Sequence, residues 1–186
     1  MTYYDELTKA MTWLGEQPDT VFLGQQMRYP GNGLFKTLSG VPMEKRIELG
    51  IMEDAQLGIS IGMAMAGKRP ITVYPRMDFL LLAMNQLVNH LDKYPVSVII
   101  RVCVGGKKPL DPGPQHCGDY SEGLKHMLKN VQIACLRKPQ DIMRVYSLAY
   151  KFAPVIVVEY GDLYRMDNTN DKERLRQERE KVKETQ

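Results

Sequence analysis

The stretch Ile47 to Ile71, IELGIMEDAQLGISIGMAMAGKRPI, decides how this chain is read. Gly58, Gly62 and Ala66 recur every fourth residue, so a helix over Asp54 to Ala66 lines one face with small side chains and lets another backbone come close. Gly67 ends the periodic run, and the apolar residues after it begin a strand. Glu53 stands just ahead of the helix. A carboxylate there has an ordinary use as a charge partner for the positive helix end, and a small-residue face has an ordinary use in packing within a domain. Taken alone, the stretch favours these structural readings.

The same alternation extends along the chain. Val- and Ile-rich runs at Thr20 to Gln25, Arg69 to Tyr74, Val96 to Val104, Asn130 to Cys135 and Pro154 to Tyr160 read as strands, most too uniformly apolar to be half exposed. Helical periods fall between them at Tyr3 to Gln17, Asp54 to Ala66, Phe79 to Leu91 and Pro139 to Phe152. Strand and helix in alternation predict an α/β fold, a mainly parallel sheet sandwiched by helices. In such sheets ligands meet the loops at the carboxyl ends of the strands. Two Gly- and Pro-dense segments, Gln25 to Gly40 and Gly105 to Gly123, exceed ordinary connections and carry the expectation of function.

Composition narrows the function classes. The 186 residues suit one domain able to bury roughly 70% of its unfolded surface. The 25 Lys and Arg against 22 Asp and Glu give a net charge of +3, and the surplus is not gathered into a basic stripe, so composition makes no case for nucleic acid. Cys103, Cys117 and Cys135 are odd in number and match no metal-ligand spacing, which predicts reduced thiols and no disulfide framework. No run approaches the ~20 apolar residues that span a bilayer, and the N-terminus lacks a signal-type apolar core. The expectation is a cytoplasmic protein with no membrane partner. The last segment, 167–186, has 12 charged residues and only Leu175 and Val182 as apolar ones, which separates a charged helix or disordered tail from a domain over 1–166.

Read together, the motifs carry a resemblance. The pattern E-x-x-x-x-G-x-x-x-G-x-A-x-x-G-x-R-P-I from Glu53 to Ile71 is followed by F-x-x-x-A-x-x-Q-x-x-N from Phe79 to Asn89. Gln115 and His116 then follow a Gly/Pro loop, and PVIVVEYGDLY ends the match. With VFLGQQMRYPGNGLFKTLSG near the start, these segments resemble the pyrimidine-binding domain of the beta subunit of the thiamine-diphosphate-dependent 2-oxoacid dehydrogenases, of pyruvate, branched-chain and acetoin types, in the transketolase-like superfamily. The resemblance covers nearly all of Tyr3 to Tyr164. It implies the pyrimidine type of thiamine-diphosphate-binding fold.

The resemblance also implies roles. A glutamate at the position of Glu53 hydrogen-bonds N1′ of the cofactor's aminopyrimidine and favours the tautomer that takes the proton from thiazolium C2. Phe79 falls where the family sets an aromatic against that ring, although its spacing to Ala83 and Gln86 equally suits a core residue. Met52 and Leu82 complete the cofactor-binding set, with Leu82 standing where the dehydrogenases often carry a polar residue. His116 matches the family's histidine near the reacting carbon. His90 and His126 receive no role. The family's diphosphate and Mg²⁺ motif is G-D-G followed by Asn, whereas this chain has only YGDLYRMDN, from Tyr160 to Asn168. The implied partner is therefore a separate alpha-type chain that holds the diphosphate and Mg²⁺, in a homodimer that becomes a heterotetramer, with a lipoyl-bearing acyltransferase as a further partner. Three classes stay open: a dehydrogenase subunit, a transketolase-like or split 2-oxoacid decarboxylase subunit, and a truncated non-catalytic binding or regulatory domain.

Overall fold

Six strands carry the architecture of the computed structural model, which describes residues 2–106 and 112–164. They are β1 (Thr20–Gly24), β2 (Arg46–Glu48), β3 (Arg69–Tyr74), β4 (Ile99–Val104), β5 (Gln132–Cys135) and β6 (Val155–Tyr160). All pair in parallel in one sheet of order β2-β1-β3-β4-β6-β5. The helices are α1 (Tyr3–Glu16), α2 (Gly33–Lys36), α3 (Glu53–Met65), α4 (Met77–Leu80), α5 (Ser121–Met127) and α6 (Ile142–Phe152).

Every residue of β4 and β6 is buried, because a parallel sheet is covered on both faces. Side chains alternate between two cores. Ile71, Val73, Ile99 and Cys103 face the layer that holds Leu7, Met11 and Leu14 of α1 and Tyr146 of α6. Tyr74, Ile100, Val102 and Val104 face the layer that holds Leu57 of α3 and Leu80, Leu87 and Leu91. Helix α1 forms where its sequence asks for it: Thr2 accepts a hydrogen bond from the Asp5 amide at 3.1 Å, and Asp5 and Glu6 lie in the first turn.

The strand order reverses direction at β1, whose neighbours are β2 on one side and β3 on the other. In open α/β sheets ligands usually meet the carboxyl ends of the strands at such a reversal, here those of β1 and β3. Helix α3 runs from β2 to β3 and packs on the sheet beside these strands.

Several elements differ from the sequence expectation. Helix α3 begins at Glu53 itself. The helix expected over Phe79 to Leu91 is instead α4, a 3₁₀ turn at Leu81–Ala83 and a π-helical segment at Gln86–Leu91. The widened segment seats Gln86 against Gly58, and its Nε2 donates to Asp54 Oδ2 at 3.2 Å. β4 starts at Ile99 rather than Val96, and α5 begins within the stretch expected as a loop. β2 has three residues, two of them charged, so it carries no apolar run to announce it. The tail expected over 167–186 lies outside the described residues. Among the described residues, no helix is long and apolar enough to cross a membrane.

Candidate active site

The first turn of α3 is bolted to the end of β3. Gln56 Nε2 donates to Thr72 Oγ1 at 2.8 Å and to the Val73 carbonyl at 3.1 Å, while the Tyr74 hydroxyl donates to the Glu53 carbonyl at 2.9 Å. Burial pushes the Tyr74 hydroxyl well above its ordinary range, so it stays a donor. Met52 supplies no side-chain cap. Glu53 is 7% exposed, and its Oε1 accepts a hydrogen bond from Gln25 Nε2 at 3.1 Å. The carboxylate is thus buried in the first turn of α3 beside a neutral donor, where it also complements the positive helix end.

The second part of the site follows β3 and β4. The ring of Phe79, on α4, meets the imidazole of His116 edge-on at 5.5 Å between centroids and 80° between planes. His116 ends a short 3₁₀ turn, Pro114–His116. Its backbone packs so tightly on the exit of β4 that a Cβ at Gly105 would lie 1.9 Å from the His116 carbonyl oxygen. Asp78 holds the loop from the other side, accepting from the Gly118 amide at 3.3 Å and from the Tyr120 hydroxyl at 3.1 Å. The buried Nδ1 of His116 meets no hydrogen-bond partner among the described residues.

Of the residues singled out in the sequence, the structure brings Phe79 and His116 into contact and ties Glu53 to the turn after β1 and to β3. Met52, at 42% exposure, and Leu82, at 64%, are on the surface. With Ile51, at 84%, Ile59 and Met65 they leave apolar side chains open to solvent. Gln25, Asp78 and Tyr120 belong to the site by contact and were not singled out from sequence. Gln25 had one legible signal, its place at the start of the Gly- and Pro-dense segment Gln25 to Gly40.

Comparison with known proteins gives the family. The family model described as "Transketolase, pyrimidine binding domain" matches residues 1–166. The chain belongs to this family.

Among curated relatives of this pyrimidine-binding domain, the 2-oxoisovalerate dehydrogenase subunit beta of Bacillus subtilis (strain 168) is 26% identical over 183 residues, covering 89% of this chain and 54% of the relative. The mitochondrial pyruvate dehydrogenase E1 component subunit beta of Caenorhabditis elegans is 27% identical over 177 residues, covering 88% and 49%. The chain spans about half the length of these relatives. Among solved structures, a split-gene transketolase described as an inactive beta4 tetramer superposes with a TM-score of 0.70 at 20% identity, covering 86% of this chain and 51% of that one. Transketolase from Campylobacter jejuni gives 0.69 at 13%, covering 87% and 26%. At these identities the likeness establishes the shared fold of the pyrimidine-binding domain.

Proposed function

We propose that this chain is the pyrimidine-side, beta-type subunit of a thiamine-diphosphate-dependent 2-oxoacid dehydrogenase, working with a separate alpha-type chain that holds the diphosphate and its Mg²⁺. The family match and the dehydrogenase beta subunits among its relatives support this reading. The observation that carries it is the buried Glu53 carboxylate, held by Gln25 at the carboxyl edge of the sheet. The residues present fit the pyrimidine end of the cofactor: a buried carboxylate for a ring nitrogen, an aromatic ring at Phe79, and an imidazole at His116 with an unpartnered buried nitrogen. The described residues contain no cluster of His, Cys, Asp and Glu suited to a metal ion, and the proposal assigns Mg²⁺ to the partner.

When bound, thiamine diphosphate supplies an acidic ring carbon that adds to the carbonyl of a 2-oxoacid and an electron sink for loss of carbon dioxide. This chain supplies orientation and proton control. Glu53 shares a proton with the pyrimidine N1′, and its removal from water strengthens that hydrogen bond. Phe79 borders the ring and excludes water. His116 would stand near the reacting centre, where its imidazole would help to bind substrate or to pass the acyl group on. The open apolar surface of Ile51, Met52, Ile59, Met65 and Leu82 is where the subunit meets its own copy or the alpha-type chain, giving a homodimer that becomes a heterotetramer. A lipoyl-bearing acyltransferase takes the acyl group onward. The protein acts in the cytoplasm.

The test is purification of the complex from its native cell, followed by hydrogen–deuterium exchange at C2 of bound thiamine diphosphate. An alpha-type chain bearing G-D-G…N should accompany this one, and the cofactor should bind to the complex and not to this chain alone. Glu53→Gln should slow exchange by at least ~10²-fold while cofactor binding and melting temperature hold. Normal exchange in that variant would sink the assignment.

A further inference from the structure

The route of the chain between β1 and Glu53 is unusually constrained. Gly24 has φ +147°, and a Cβ there would lie 2.5 Å from the Val73 carbonyl oxygen, so the last residue of β1 must be glycine. Two residues on, Gln26 has φ +59°, in the left-handed region that non-glycine residues rarely enter. The strained turn is held from outside. Glu48 of β2 accepts from the Gln26 amide through Oε1 at 2.6 Å and from the Arg28 amide through Oε2 at 2.8 Å, and Asn32 Nδ2 donates to Gln26 Oε1 at 2.6 Å. Between these two fixed positions stands Gln25, whose carboxamide meets Glu53. Strain that the surroundings over-determine is characteristic of functional sites.

The surroundings of Glu53 make the choice of a neutral residue informative. On its own helix, Asp54 accepts from Gln86. From β3, Tyr74 donates to the Glu53 carbonyl, and the carboxylate of Glu48 on β2 is spent on the Gln26 and Arg28 amides. The side chain that reaches the Glu53 carboxylate from the turn after β1 is an amide, which donates one hydrogen bond and never titrates.

We infer that Gln25 is a positioning residue: it fixes one oxygen of Glu53 so that the carboxyl proton is shared with the bound ring nitrogen and with no second acid. This rests on the function proposed above. Gln25→Glu would place a second carboxylate about 3.1 Å from Glu53, and the two would hold a proton in common.

The first experiment needs no cofactor. In the full chain labelled with carboxyl-¹³C glutamate, the Glu53 signal should move in Gln25→Glu, which sets a second carboxylate against it. It should also move in Gln25→Leu, which removes the donor that fixes one oxygen. Melting temperatures should change little. In the purified complex, Gln25→Leu should slow C2 exchange ~10-fold with cofactor affinity retained, Gln25→Asn, one methylene short, should not rescue it, and Gln25→Glu should change the pH dependence of exchange from that of wild type. An unmoved Glu53 signal in both the Glu and Leu variants, or a loss of melting temperature with no change in that signal, overturns the positioning role. Normal exchange in Glu53→Gln with a shifted carboxyl signal overturns the proposed function and leaves the pairing standing. One variant is enough to decide if the other does not fold.

Discussion

Arg101 of β4 and Glu159 of β6 form an ion pair with both side chains 0% exposed, Nε to Oε1 at 2.8 Å and Nη2 to Oε2 at 2.9 Å. Register explains the meeting. Arg101 pairs with Val157, so Glu159, two residues on, points to the same face. Thr37 accepts from Nη2 at 2.9 Å, and the hydroxyls of Tyr146 and Tyr164 donate to the carboxylate. Burial and the Glu159 charge push both tyrosines well up, keeping them protonated as donors. Burial would lower the guanidinium, but the Glu159 charge holds it well above its ordinary value.

Removing one partner should therefore be worse than removing both. Glu159→Ala should cost about 3–5 kcal/mol by leaving a buried cation uncompensated, while Arg101→Met combined with Glu159→Met should recover most of that loss. Urea titrations of the two variants and wild type decide it. A double variant as destabilised as Glu159→Ala, or more so, would contradict it.

Asp92 links the end of the π-helical segment to the approach to β5. Its Oδ1 accepts from the amides of Lys129 at 2.9 Å, Asn130 at 2.7 Å and Val131 at 3.1 Å. Burial alone would raise the carboxyl, but the three amides outweigh it and hold it below its ordinary value. A group whose folded value is depressed adds stability above its unfolded value, about 3.9, and loses it as pH falls through the folded value. Asp92→Asn should thus be clearly less stable than wild type at pH 7, with the gap closing below about pH 4. Melts across that range provide the check, and a gap independent of pH would contradict it.

Two glycines should respond oppositely. Gly24→Ala must relieve the 2.5 Å approach to the Val73 carbonyl and should lower stability by several kcal/mol, on the scale of ~3 or more for a buried backbone clash with strain. A Cβ at Gly62 meets nothing within 4 Å, so Gly62→Leu should leave the melting temperature of the fold nearly unchanged. If α3 is an assembly face as proposed, the same variant should weaken association in light scattering. A wild-type chain that stays strictly monomeric at high micromolar concentration, with Gly62→Leu identical, would count against that face.

The Phe79 and His116 contact separates packing from chemistry. An edge-to-face pair is worth about 0.5–1.5 kcal/mol beyond burial, so His116→Ala should cost roughly that in stability. If His116 acts at the reacting centre, turnover of the complex should fall by ~10²-fold or more, far beyond the packing loss. A fall in turnover no larger than that seen with Phe79→Leu would reduce His116 to a packing residue.

What this chain's sequence determined by itself is whatever repeats locally. Apolar runs in β3, β4 and β6 and the helical period of α1 and α6 state their class in a few neighbouring residues, because a buried parallel strand must be apolar on both faces and a helix on one. The motif from Glu53 to Ile71 was legible for the same reason. The tertiary structure decided the polar pairings, since they join residues far apart in the chain. Gln25 meets Glu53 across 28 positions, and Arg101 meets Glu159 across 58. No local period encodes such a meeting. β2 and the π-helical segment were hidden likewise, the one formed by pairing with β1 and the other by Gln86 reaching Gly58 and Asp54. In both, contacts between distant residues outweigh local preference, which is why only the folded chain displays them.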